Sequence, residues 1–159
     1  MGKVLQRDAL RTAVADLRRA GKKIAFTNGC FDILHVGHVR YLQEARRQGD
    51  VLILGLNSDA SVRAVKGPAR PVVPEGERAE VLAGLACVDY IVLFDEETPA
   101  SLVAEIQPDV LVKGADWADK TVVGRETVEA RGGRVVLIPY VEGASTTHLV
   151  EKILRLHGR

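Results

Sequence analysis

The chain has 159 residues, 47% of them apolar and 27% charged, a balance that suits one globular domain with a single core and excludes an intrinsically disordered chain. Lys and Arg number 22 against 21 Asp and Glu, so the formal charge of +1 lacks the basic excess of a general nucleic-acid binder. No apolar run approaches the roughly 18 residues of a membrane span, and no apolar signal region is visible at the N-terminus, so neither a membrane nor a nucleic acid is expected as a partner.

Leu10, Ala13, Val14 and Leu17 recur at helical spacing and predict an amphipathic helix over 6–19, stopped at Gly21. A first strand is predicted over 23–28. Val39, Leu42 and Ala45 then share one face of a helix over 37–48 that Gly49 closes. Residues 51–57 form a continuous aliphatic run, the pattern of a parallel strand buried on both faces. After a polar stretch over 66–76, rich in Gly and Pro, Val81, Leu82 and Leu85 predict another helix face and residues 90–94 a third strand. Thr98 and Pro99 suit the N-cap and first turn of a helix over 99–106, and residues 110–112 predict the fourth strand. A helix over 124–131 stopped by Gly132 and Gly133 leads to a fifth strand over 135–138. Ser145 is placed to cap the last helix, whose apolar face is Leu149, Val150, Ile153 and Leu154. Strands alternating with helices through short links predict a Rossmann-like α/β/α sandwich with a five-stranded parallel sheet, one domain over 1–159. Cys30 and Cys87 have no CxxC or metal-ligand spacing, which predicts free thiols and a reducing, cytoplasmic location.

In open α/β sheets ligands bind beyond the carboxyl ends of the strands, where the strand order reverses. The familiar phosphate and hydrolase motifs GxGxxG after the first strand, GxxxxGK[ST], HExxH and GxSxG are all absent. The first strand instead runs into Asn28-Gly29-Cys30-Phe31-Asp32-Ile33-Leu34-His35-Val36-Gly37-His38. Histidines three apart at a helix N-terminus put both rings on one side of the first turn, beside unpaired N–H groups and the positive end of the dipole. This is an anion site with two added donors. The competing readings are a loop cap at His35 with an ordinary surface histidine at His38, or a zinc site, for which no third ligand lies nearby. No resident metal is expected. Gly29 is expected to let a ligand approach the backbone, and Gly37 to let the helix start pack against the strand.

This segment resembles the HxGH signature of the nucleotidylyltransferase superfamily in its fuller cytidylyltransferase-like form, GxFDxxHxGH. The similarity runs over nearly the whole chain, through Gly55-Leu56-Asn57-Ser58-Asp59, Lys66-Gly67 with Arg70-Pro71, Arg78-Ala79, Lys113-Gly114-Ala115-Asp116-Trp117 and Glu142-Gly143-Ala144-Ser145-Thr146-Thr147. Within the superfamily it is nearest the adenylyltransferase domains of bacterial ADP-heptose synthases. The resemblance implies that an acceptor phosphate oxygen attacks the α-phosphorus of ATP and magnesium pyrophosphate leaves, with Mg2+ arriving on ATP and no covalent enzyme intermediate. It implies catalytic roles for His35, His38 and Lys66. Nucleotide contacts are implied for Asn28, Gly29, Cys30, Phe31, Gly37, His38, Lys113, Gly114, Asp116, Ser145, Thr146 and Thr147, and acceptor contacts for Asp32, Asn57, Asp59, Lys66 and Arg78.

Read as residues alone, Lys66 is equally a solvated loop lysine, Arg78 a surface ion pair, Asp32 and Asp59 turn or helix caps, and Trp117 a cap over the sheet end. Helix capping explains one of the three hydroxyls at 145–147, and three together suggest phosphate. Glycerol-phosphate cytidylyltransferases of the same branch carry Arg-Thr-Glu-Gly before the last helix, where this chain has Tyr140-Val141-Glu142-Gly143. The missing arginine favours ATP and a sugar 1-phosphate, D-glycero-β-D-manno-heptose 1-phosphate first, over CTP and glycerol 3-phosphate. The resemblance further implies a homodimer and, for a domain without a fused kinase, a separate sugar kinase supplying the acceptor.

Overall fold

The computed structural model describes residues 1–115, 121–139, 141 and 143–158. In chain order the elements are β1 (Lys3–Val4), α1 (Arg7–Arg19), β2 (Ile24–Gly29), α2 (Val36–Arg47), β3 (Val51–Asn57), α3 (Asp59–Lys66), α4 (Glu75–Ala83), β4 (Tyr90–Phe94), α5 (Ala100–Ile106), β5 (Val110–Gly114), α6 (Arg125–Glu129), β6 (Arg134–Ile138) and α7 (Thr146–His157). The strands form one parallel sheet in the order β1-β4-β3-β2-β5-β6, six strands where five were expected. The added strand, β1, pairs Lys3 with Tyr90 and Val4 with Ile91, and two residues are too few to show a periodicity.

Every residue of β3 is buried, as its unbroken aliphatic run requires. Leu52, Leu54 and Leu56 pack on one face of the sheet with Leu42 and Ala45 of α2 and Leu82 of α4. Val51 and Ile53 pack on the other with Leu10 and Val14 of α1 and Leu102 and Ile106 of α5. The period of two along a strand thus feeds two aliphatic layers, which is the α/β/α sandwich.

Three aspartates fix the strand entrances. Asp50, Asp89 and Asp109 each stand just before a strand, and each accepts a backbone N–H from or beside the start of the neighbouring one: Lys23 (2.8 Å), Leu52 (2.8 Å) and Ile24 (2.7 Å) respectively. These bonds satisfy N–H groups that a strand start leaves unpaired, and they set the register.

Two local expectations are corrected. The helix over 99–106 begins with Pro99 at its N-cap and no side-chain cap, so Thr98 does not close it. The last helix is capped by Ser145 as expected, yet none of its residues is buried. Ile153 and Leu154 are 53% and 62% exposed, so its apolar face lies open to solvent.

Candidate active site

The chain builds β2, β3 and β4 in one direction across the sheet and then returns to the other side of β2 for β5 and β6. The reversal falls beside β2, and the loop leaving its carboxyl end carries the histidines into α2. His35 is the N-cap residue, with extended backbone (φ −141°, ψ 170°) and no side-chain capping bond. The loop-cap alternative for His35 therefore does not describe it. Its ring stacks on that of His38, with centroids 3.8 Å apart and planes 26° apart.

Two glycines make room for this stack. A Cβ on Gly37 would stand 2.9 Å from His35 Nδ1 and 3.1 Å from Ala144 Cβ, so a side chain at position 37 would have to displace the His35 ring or Ala144. A Cβ on Gly29 would stand 2.8 Å from the Phe31 ring. Phe31 turns back at φ 43° to place that ring, and the ring lies 5.2 Å from His38 at 58°. The space expected to admit a ligand at Gly29 is filled by Phe31, and the space at Gly37 is used by the His35 ring and Ala144. Gly29 and Gly37 thus serve the histidines from either side.

Nδ1 of His35 and of His38 is buried with no hydrogen-bond partner. Burial lowers the His35 pKa, and burial together with the neighbouring His35 lowers that of His38 to about 4. Both rings are neutral at pH 7. Cys30, just before them, is a half-buried free thiol. Burial raises its pKa, outweighing the positive charges of Lys66, Arg78 and Arg70 that pull it down. Lys66 is the last residue of α3 and is exposed, with Gly67 (φ 95°) closing the helix behind it.

The residues expected to meet the acceptor divide. Arg78 is fully buried: its Nε donates to the carbonyl of Val73 (2.9 Å), its Nη1 to those of Cys30 (2.6 Å) and Asn57 (2.9 Å), and its Nη2 to Asp59 Oδ1 (2.8 Å). The Asn57 side chain donates to Ser61 Oγ within the core. Asp32, with 1% of its side chain exposed, accepts from Arg70 Nε (2.6 Å) and from the backbone N–H groups of Val72 and Val73 (2.9 Å each). Burial opposes the Asp32 charge, but these donors outweigh it and lower its pKa. Arg78 and Asp32 spend their polar side-chain atoms on the protein, as does the Asn57 amide nitrogen, and Lys66 alone of the expected acceptor residues is exposed.

On the other flank, Asn28 Oδ1 accepts from Lys113 Nζ, joining the carboxyl ends of β2 and β5. Gly114, the last residue of β5, is buried beside them. At α7, Ser145 Oγ accepts the His148 N–H (3.0 Å), Thr146 Oγ1 donates to the Ile33 carbonyl (3.3 Å), and Thr147 is exposed. The Thr146 bond docks the start of α7 onto the histidine loop. Asp116, Trp117, Tyr140 and Glu142 lie outside the described residues. Two contributors have no role in the motif reading: Ala144, packed beside Gly37, and Tyr41, whose hydroxyl meets Thr27 Oγ1 (2.7 Å) and the Val112 carbonyl (3.2 Å) under the site. Tyr41 stands three residues after His38, a spacing that could have marked it. Among the described residues no group of three or more His, Cys, Asp or Glu is placed to hold a metal.

A pair of stacked, neutral histidines at a helix N-terminus, placed at the switch point of a parallel sheet, defines an HxGH nucleotidyltransferase. The chain belongs to the cytidylyltransferase-like family, whose sequence model matches residues 26–152. It is 58% identical over 152 residues to the bifunctional protein HldE of Syntrophotalea carbinolica, covering 96% of this chain and 31% of that protein. It is 55% identical over 156 residues to the HldE of Geobacter metallireducens, covering 98% and 32%. The chain thus spans about a third of the length of these curated relatives. Among solved structures, a lipopolysaccharide core biosynthesis protein from Thermoplasma volcanium superposes with a TM-score of 0.62 at 28% identity, over 76% of this chain and 98% of that one. A pantoate-beta-alanine ligase from Francisella tularensis superposes at 0.63 with 12% identity, over 98% of this chain and 80% of that one, a likeness of fold alone.

Proposed function

We propose that this domain transfers the adenylyl group of MgATP to a sugar 1-phosphate, D-glycero-β-D-manno-heptose 1-phosphate first, giving ADP-heptose and pyrophosphate for lipopolysaccharide core synthesis. The observation that carries the chemistry is the stacked His35–His38 pair at the start of α2. The likeness to the HldE proteins and to the Thermoplasma protein supports the sugar.

In this reading the acceptor's phosphate oxygen forms a bond to the α-phosphorus as the bond from that phosphorus to the bridging oxygen breaks, and the electron pair leaves with pyrophosphate. Charge grows on the α-phosphate and on the leaving group, so catalysis consists of positioning and of donors held ready. His35, His38 and the first N–H groups of α2 face that charge, and Lys66 reaches the phosphates from the end of α3. Mg2+ enters as part of the nucleotide and rests on its phosphates. Nucleotide contacts at Asn28, Lys113, Gly114, Asp116 and Thr147, and an acceptor contact at Asp59, remain part of the proposal. The 1-phosphate on the acceptor calls for a sugar kinase as its source.

No helix among the described residues is long and apolar enough to cross a membrane, and soluble substrates favour a cytoplasmic setting. The open face of α7 suits a homodimer. The test is pyrophosphate release with Mg2+, scanning ATP and CTP against heptose 1-phosphate, other sugar 1-phosphates and glycerol 3-phosphate. Release confined to ATP with a sugar 1-phosphate is the expected result. Release with CTP and glycerol 3-phosphate overturns it.

A further inference from the structure

Asp32 and Arg78, both expected to touch substrate, instead hold one residue between them. The N–H of Val73 donates to Asp32 and its carbonyl accepts from Arg78. Arg78 extends the tie to the carbonyls of Cys30 and Asn57, at the ends of β2 and β3, while Asp32 also takes the Val72 N–H and Arg70 Nε. Asp32 sits in the loop that carries the histidines, and Arg70 to Val73 come after Lys66 with only residues 67–69 between. Those residues are themselves folded back, since the Arg70 N–H donates to the Gly67 carbonyl (3.2 Å). On its other side Lys66 is held by α3, which Ser58 caps and which Ser61 Oγ ties to the Glu96 carbonyl (3.0 Å).

We propose that Asp32 is a positioning residue that clasps the 70–73 segment to the histidine loop and so holds Lys66 at one fixed reach from His35 and His38. The proposal rests on the nucleotidyltransferase reading and adds how the lysine is set. The geometry argues against substrate contact by Asp32, because its carboxylate is buried and faces donors from a single loop. A carboxylate so placed organises the loop before any phosphate arrives, which removes ordering entropy from the binding step.

The test uses Asp32→Asn, which keeps shape and one acceptor and removes the charge, with Arg70→Gln as a second variant that breaks only the side-chain pair. Without any ligand, amide exchange of Val72 and Val73 is expected to rise about ten- to a hundredfold in Asp32→Asn, the effect of losing a charged hydrogen bond. MgATP affinity and kcat are then measured in a cycle with Lys66→Ala. The clasp acts through Lys66, so Asp32→Asn is expected to lower both in the wild-type background and to change them less than about twofold once Lys66 is Ala. Unchanged exchange at Val72 and Val73, or effects that multiply independently of Lys66, overturns the proposal. If Asp32→Asn does not fold, Arg70→Gln is read by the cycle with Lys66→Ala alone, since it leaves the Val72 and Val73 bonds to Asp32 in place. A protein that binds no MgATP fails the parent reading, whereas one that binds it with independent effects fails the clasp alone.

Discussion

Gly37 and His38 carry the sharpest consequences at the scale of single residues. A methyl group on Gly37 meets His35 Nδ1 at 2.9 Å and Ala144 at 3.1 Å, so Gly37→Ala has to displace the ring or the α7 loop. We expect turnover to fall at least about tenfold while Tm moves by only a few degrees, because the methyl group disturbs the site and leaves the aliphatic core as it is. Steady-state kinetics beside a thermal scan checks this. His38 bears on pH. Its folded pKa of about 4 lies below its ordinary 6.5, so between those values the unfolded chain binds the proton that the folded chain refuses. Stability therefore rises with pH across that window and is lost as pH falls from about 6.5 towards 4. His38→Gln removes this titration, and denaturant midpoints across the window should flatten relative to the parent. A bound triphosphate favours the charged ring, so MgATP binding near pH 6 should take up protons, read from calorimetry in buffers of different ionisation heat.

Among elements, the strand entrances show where periodicity stops being informative. The apolar runs over 51–57 and 90–94 give those two strands their limits, since a strand covered on both faces shows an almost unbroken apolar run. The aspartates before β3, β4 and β5 read as turn residues, and only the sheet order reveals that each reaches across to a neighbouring strand. Asp89 also pairs with Arg46 of α2 at 2.8 Å. Asp89→Ala leaves the Leu52 N–H without its acceptor, and we expect a loss of about 1–3 kcal/mol in chemical denaturation, with no change in nucleotide affinity because β4 enters the sheet far from the site. The same limit applies at the site. The histidine spacing announces its own chemistry, because three residues on a helix fix which side chains meet. The roles of Asp32 and Arg78 depend on a loop 41 residues beyond Asp32 folding back, which no local spacing records.

For the whole molecule, the open face of α7 is the feature that the chain's own packing leaves unexplained. Leu149 and Val150 are half-buried, and Ile153, Leu154 and Leu156 are largely exposed. Apolar side chains grouped on one helix mark an interaction surface. If a second copy covers it, solution mass should be twice that of the chain, and Leu154→Glu should return it to one copy while the histidine site stays intact. The Thr146 bond to Ile33 joins this helix to the histidine loop, so assembly and site share an element.

Whether the stacked histidines act on the transferring adenylyl group is decided by single-turnover and steady-state kinetics of His38→Ala with MgATP and heptose 1-phosphate, beside MgATP affinity. A donor used mainly in the transition state predicts a fall in kcat of about 10²–10³ with affinity within about tenfold of the parent. Turnover that survives the substitution, or a loss confined to affinity, would refute that role for the pair.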